Sequence, residues 1–189
     1  MASLRGAVVV VVLFLLTSCT TSGQAEPAAP TTTAQTRPRD VRIDGVDPCS
    51  LLTEDQRAEL GLDGRPVHDV RRTSLYPGGD VPSCTVRGFE PRAIWTAVSL
   101  VSTTGIERYT GDDLDVDVRP VEIQGFPGLT AVPRRFTEWC SVVLDIAPGQ
   151  LIDVRFADGG GTPPVPQEQL CDDAAVVADH VLSTLLTTR

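Results

Sequence analysis

The chain has 189 residues, 25 of them acidic and 16 basic, and a formal charge of −9. Every basic residue is Arg, and no Lys or Asn occurs. An acidic chain whose longest basic clusters are Arg71-Arg72 and Arg134-Arg135 is a poor nucleic-acid binder and is not drawn to anionic lipid by charge, so its acidity reads as a solubility feature. Without Asn it offers no N-linked glycosylation acceptor.

In chain order, Arg5 supplies a positive start and Ala7 to Leu16 is apolar without interruption. Such a run spans only ~15 Å as a helix, against ~30 Å of hydrocarbon, so it reads as the apolar region of a signal peptide rather than a membrane span. Leu16-Thr17-Ser18-Cys19 follows and resembles the bacterial lipobox, a branched apolar residue three positions before a Cys with small residues between. That resemblance implies cleavage after residue 18, diacylglycerol on Cys19, and a membrane anchor facing the extracytoplasmic side. Two or more acyl chains make such anchoring stable, at ~0.8 kcal/mol per buried CH₂. Residues 19–40 are rich in Thr, Ala, Pro and Gln and hold no large apolar side chain before Val41, so they read as a disordered tether.

The expected domain covers residues 41–189. Setting Cys19 aside leaves four of the five cysteines, Cys49, Cys84, Cys140 and Cys171, an even set that implies two disulfides in an oxidising compartment. Four cysteines allow three pairings. No C-x-x-C pair favours zinc instead. Thr53 and Gln56 form a capping box opening a short helix to about Leu60, with Gly61 ending it. Leu51, Leu52 and Leu60 are its expected buried residues. Strands are expected over Val67–Thr73, from Cys84 to Phe89, over Ala93–Thr103 and Val116–Ile123, then over Leu129–Val132 after a Gly125-Phe126-Pro127-Gly128 break. Alternation from Trp139 to Phe156 across Pro148-Gly149 predicts a hairpin. Leu170, Ala174, Val177, Ala178, Val181 and Leu185 form an apolar stripe on a last helix from about Gln167 to Leu186. The order predicts an α+β fold, an antiparallel sheet with a short N-terminal helix and a long C-terminal helix on one face.

The stretch from Arg42 to Thr53, with its Asp47-Pro48-Cys49-Ser50-Leu51-Leu52-Thr53 core, then a strand Cys, a hairpin Cys and Leu170-Cys171-x-x-Ala-Ala, resembles an actinobacterial lipoprotein family of unknown function. That family includes the mycobacterial lipoproteins LprB and LprC. The resemblance implies the pairings Cys49–Cys84 and Cys140–Cys171 and no particular activity. Val86 stands where family members commonly carry an aromatic residue.

No nucleophile elbow, zinc-protease or phosphate-loop motif occurs. His68 and His180 read as surface residues rather than bases. Asp113, Asp115 and Asp117 share a strand period and read as a solvated face, since the calcium-loop pattern is missing. With aromatics this sparse, Trp95 and Trp139 read as core or near-core. The expected role is that of a cell-envelope lipoprotein binding a protein partner or envelope ligand, with no catalytic residues, metal or cofactor. The alternative is a carrier of a lipid or other apolar molecule in a cavity between sheet and C-terminal helix, where Ala174, Ala175 and Ala178 either leave room or allow close packing. A hydrolase around His68 or His180 is the third.

Overall fold

A computed structural model describes residues 36–111 and 113–189. The described chain begins at the border of the expected tether. Arg37 is tied to Asp40 and, through its other guanidinium nitrogen, to Asp145. The Val41 N–H donates to the Ile146 carbonyl at 2.8 Å, and Val41 and Ile43 turn inward to the core.

The Asp47 side chain accepts the Cys49 N–H and caps a single 3-10 turn, Pro48–Ser50, which delivers Leu51 and Leu52 to the interior. Helix α1, Glu54–Glu59, has the expected capping box of Thr53 and Gln56. It buries none of its own residues, and Leu51, Leu52 and Leu62 on either side hold it down. Leu60 is half-buried, and Gly61, at φ 70°, ends the helix in the left-handed region.

Seven strands follow: β1 Val67–Arg71, β2 Val81–Gly88, β3 Ile94–Val101, β4 Val116–Ile123, β5 Phe126–Pro133, β6 Trp139–Ala147 and β7 Gln150–Asp158. They form one antiparallel sheet in the order β1-β2-β3-β7-β6-β5-β4. The β6–β7 hairpin thus sits in the middle of the sheet, and the β3–β4 connection must cross to the far edge. The break expected over residues 125–128 is tighter than the sequence suggests. Gln124 and Gly125, at φ 50° and 81°, make a two-residue turn, and Phe126 to Gly128 already belong to β5. Phe126 moves to the core as a result, 1% exposed.

Helix α2, Gln167–Thr188, lies across β6 and β7 with the expected stripe buried, joined by Leu182. The Cys140–Cys171 disulfide fastens its first turn to β6, and Cys49–Cys84 fastens the 3-10 turn to β2. Both bridges match the pairing implied by the family resemblance. The even-numbered residues of β3 and β7, such as Val98, Leu100, Val154 and Phe156, point into this helix-covered layer. No helix among the described residues is long and apolar enough to cross a membrane.

The expected cavity between sheet and α2 is not open. Ala174 and Ala178 let the helix approach the sheet closely, and Leu170, Val177, Val181 and Leu185 fill the interface at 0% exposure. The small residues therefore serve close packing rather than a carrier site.

Candidate functional site

Among the described residues, no α-helix packs on the opposite face of the sheet. Two loops cover part of it: residues 72–80, between β1 and β2, and the β3–β4 connection, which contains a 3-10 turn at Ile106–Tyr109. Tyr76 and Tyr109 from these loops join Val81, Val101, Ala131, Val143 and Leu151 in a second, smaller apolar cluster. Arg108 Nε donates to the Leu75 carbonyl at 2.8 Å, linking the loops directly.

Beneath the loops lies a polar chain. Tyr76 donates its hydroxyl to Asp153 Oδ2 at 2.7 Å, and the Tyr109 hydroxyl stands 2.6 Å from that of Tyr76, to which it must donate. Burial, reinforced by the neighbouring Asp153 charge, raises both phenols well above their ordinary range, so both remain protonated donors.

Strand register sets out the rest of the floor. Thr85, Ala97, Arg155 and Ser141 form one row across β2, β3, β7 and β6. Ser83, Ser99, Asp153 and Val143 form the next. Ala157 lies between Trp95 and Trp139 in a third. The short side chains of Ser83, Thr85, Ala97 and Ser99 leave a cleft of about 390 Å³ between Tyr76, Trp95 and Arg155. An adjoining recess of about 230 Å³, walled by Leu114, Val116, Pro133, Phe136 and Trp139, shares Leu75 and Arg155 with it.

Two buried atoms of this face, Asp153 Oδ1 and Ser141 Oγ, and the buried Nε of Arg155 have no hydrogen-bond partner among the described residues. Asp153 is 4% exposed and Ser141 1%. The Arg155 guanidinium carbon sits 4.2 Å from the centre of the Trp139 ring, a cation–π contact that fixes its direction. Leaving a buried polar atom unmatched costs roughly 1–3 kcal/mol, so two such atoms on residues that line one cleft, Asp153 and Arg155, mark a place built for an incoming group.

The residues singled out from sequence fall elsewhere. Cys19, the signal peptide and most of the tether lie outside the described residues. Trp95 and Trp139 are near the core rather than in it: both are half-buried on the open face. His68 is exposed on the edge strand β1. His180 lies 3.9 Å from Glu59, and Thr184 donates to its backbone carbonyl rather than its ring, so among the described residues no nucleophile is bonded to either imidazole. Asp113, Asp115 and Asp117 pair with Arg108, Arg135 and Arg134, and only Asp117 lies in β4. Among the described residues no cluster of His, Cys, Asp and Glu is placed to hold a metal ion. Sequence reasoning missed Tyr76, Asp153 and Arg155. The available signal was two charged residues alternating inside an otherwise apolar central hairpin.

Fold and cleft define a disulfide-braced antiparallel sheet, backed by one helix and bearing an open, polar-floored face. The chain belongs to the family described as "Protein of unknown function (DUF3558)", whose sequence pattern matches residues 14–184. No curated protein and no solved structure matches it.

Proposed function

We propose that the protein is a lipid-anchored binding protein of the cell envelope, held outside the membrane through Cys19, and that its ligand occupies the cleft on the open sheet face. The observation that carries the ligand site is the presence of unpartnered Asp153 and Arg155 atoms on two neighbouring residues that line the cleft. The anchor is supported by Leu16-Thr17-Ser18-Cys19 and by the even cysteine set left once Cys19 is set aside. The stretch from Arg42 to Thr53 and the spacing of the four domain cysteines support grouping the chain with lipoproteins that resemble LprB and LprC. The 72–80 and β3–β4 loops act as fixed walls, because the Tyr109–Tyr76–Asp153 chain holds them to the sheet.

The test is native mass spectrometry of the protein isolated from its own membrane, beside Thr85→Trp, whose indole fills the cleft. The reading expects a bound small molecule on the parent chain that is missing from the variant. A bound mass kept in full by Thr85→Trp would place the ligand elsewhere.

A further inference from the structure

The cleft floor places two opposite charges side by side without letting them meet. Asp153 and Arg155 stand two residues apart on β7 and face the same way, which separates their Cα atoms by about 6.6 Å along the strand. No ion pair or hydrogen bond joins them: Asp153 keeps Oδ1 as a free acceptor and Arg155 keeps Nε as a free donor. Stacking on Trp139 holds the guanidinium away from Asp153.

We infer that this pair recognises an α-amino acid with an apolar side chain, its ammonium on Asp153, its carboxylate on Arg155 and its side chain in the recess beside Trp139. The inference rests on the reading of the cleft as the ligand site and names the chemistry that fills it. An α-amino acid carries both charges on one carbon, close enough for each to reach one partner by a charge-assisted hydrogen bond. A ligand with a carboxylate alone would bring negative charge beside an unmatched Asp153, and an amine alone would do the reverse at Arg155. A sugar finds a poorer fit, because the guanidinium already covers a face of Trp139 that stacking would need. The apolar recess is of a size for one large side chain and opens beside Arg155, where the ligand's α-carbon would lie.

The test is calorimetric titration of the full-length protein at neutral pH with L-phenylalanine, 3-phenylpropionate and 2-phenylethylamine, repeated on Asp153→Asn and Arg155→Gln. The asparagine keeps a carbonyl for the Tyr76 hydroxyl, and near-UV circular dichroism checks that each variant is folded. Phenylalanine should bind about tenfold or more tighter than either one-charge analogue. Asp153→Asn should remove that advantage over 3-phenylpropionate, and Arg155→Gln the advantage over 2-phenylethylamine. Equal or tighter binding of either analogue overturns the amino-acid assignment and leaves the cleft as the ligand site. No heat from any probe at millimolar concentration overturns it as well, and the cleft itself is then judged by the Thr85→Trp comparison.

Discussion

Tyr76, in a loop of Pro and Gly, donates its hydroxyl to Asp153 in the middle of the sheet at 2.7 Å, across 77 positions of chain. Tyr109 backs the same contact from a second loop. One carboxylate therefore orders both loops that wall the cleft. Tyr76→Phe keeps the ring's packing and removes the donor, leaving Asp153 buried with neither oxygen matched. The expected loss is roughly 1.5–3 kcal/mol, the range for hydrogen bonds to charged groups. Urea unfolding of the variant beside the parent measures it. A change near zero would mean that water replaces the phenol and that the loops are held by packing alone.

Tyr76 and Tyr109 are the chain's two tyrosines, and burial raises both above the ordinary value of 10.0. A group whose folded value is raised gives its full stabilisation below the unfolded value and loses it as pH climbs toward the folded one. Stability should hold up to about pH 10, then fall by about 1.4 kcal/mol per pH unit for each tyrosine, because the unfolded chain releases protons that the folded chain retains. Urea midpoints taken on either side of that value should show the break. Tyr109→Phe should halve the slope above it.

Much of the fold was legible because its signals are local. The Thr53–Gln56 box depends on four residues, the α2 stripe on one helix face, and the β6–β7 hairpin on strict alternation. Alternation also grouped Trp95, Ala97, Ser99 and Val101 correctly on one side of β3. What it cannot say is which side receives the helix, since that depends on strand order and on where the crossing loops lie. That both tryptophans are near-core on the helix-free face was not legible for that reason. Asp153 and Arg155 were legible only as polar positions in a strand, a pattern that ordinarily means solvent. Asp153 is buried under Tyr76, whose Pro-Gly surroundings mark a turn and carry no sign of what lies beneath it, and Arg155 is half-covered by Trp139.

Gly128 tests the β5 correction. It lies in the strand opposite Leu144, and a Cβ built there would stand 2.6 Å from the Val143 carbonyl oxygen and 3.0 Å from a Leu144 methyl. The near atom is backbone and cannot swing aside. Gly128→Ala should therefore destabilise by about 1–3 kcal/mol, the usual cost of overpacking. Gly149→Ala is a useful contrast: nothing lies within 4 Å of its Cβ, and its cost arises only from φ 69°. A Gly128 variant as stable as the parent would place that residue in a turn, as its neighbours in the sequence first suggest.

The anchor has its own test. If Cys19 carries the proposed lipid, Cys19→Ala removes the thioether site and, with it, the acyl chains whose burial would hold the protein at the membrane. The variant should leave the detergent and membrane fractions for the aqueous one and take up no labelled fatty acid. The described domain has no apolar helix to hold it at the bilayer in their place. Full retention in the membrane fraction would reject lipidation at this cysteine.

The two disulfides close loops of similar length, with sequence separations of 35 and 31, so the chain-entropy account assigns each about 3–4 kcal/mol. They differ in what they fasten. Cys49–Cys84 ties an irregular segment to β2, whereas Cys140–Cys171 joins β6 to a helix already held by seven buried apolar residues. If the bridges act mainly on the unfolded chain, Cys140→Ala with Cys171→Ala should lower stability by that amount yet leave α2 docked. Near-UV circular dichroism and hydrogen exchange of the α2 amides would then match the parent at low denaturant, while the unfolding midpoint drops. Rapid α2 exchange in the double variant would show the opposite, that the helix interface alone cannot hold α2 and the bridge acts on the folded state. The 0% exposure of Leu170, next to Cys171, argues for the first outcome, because that side chain stays in the core whether or not the sulfurs are joined.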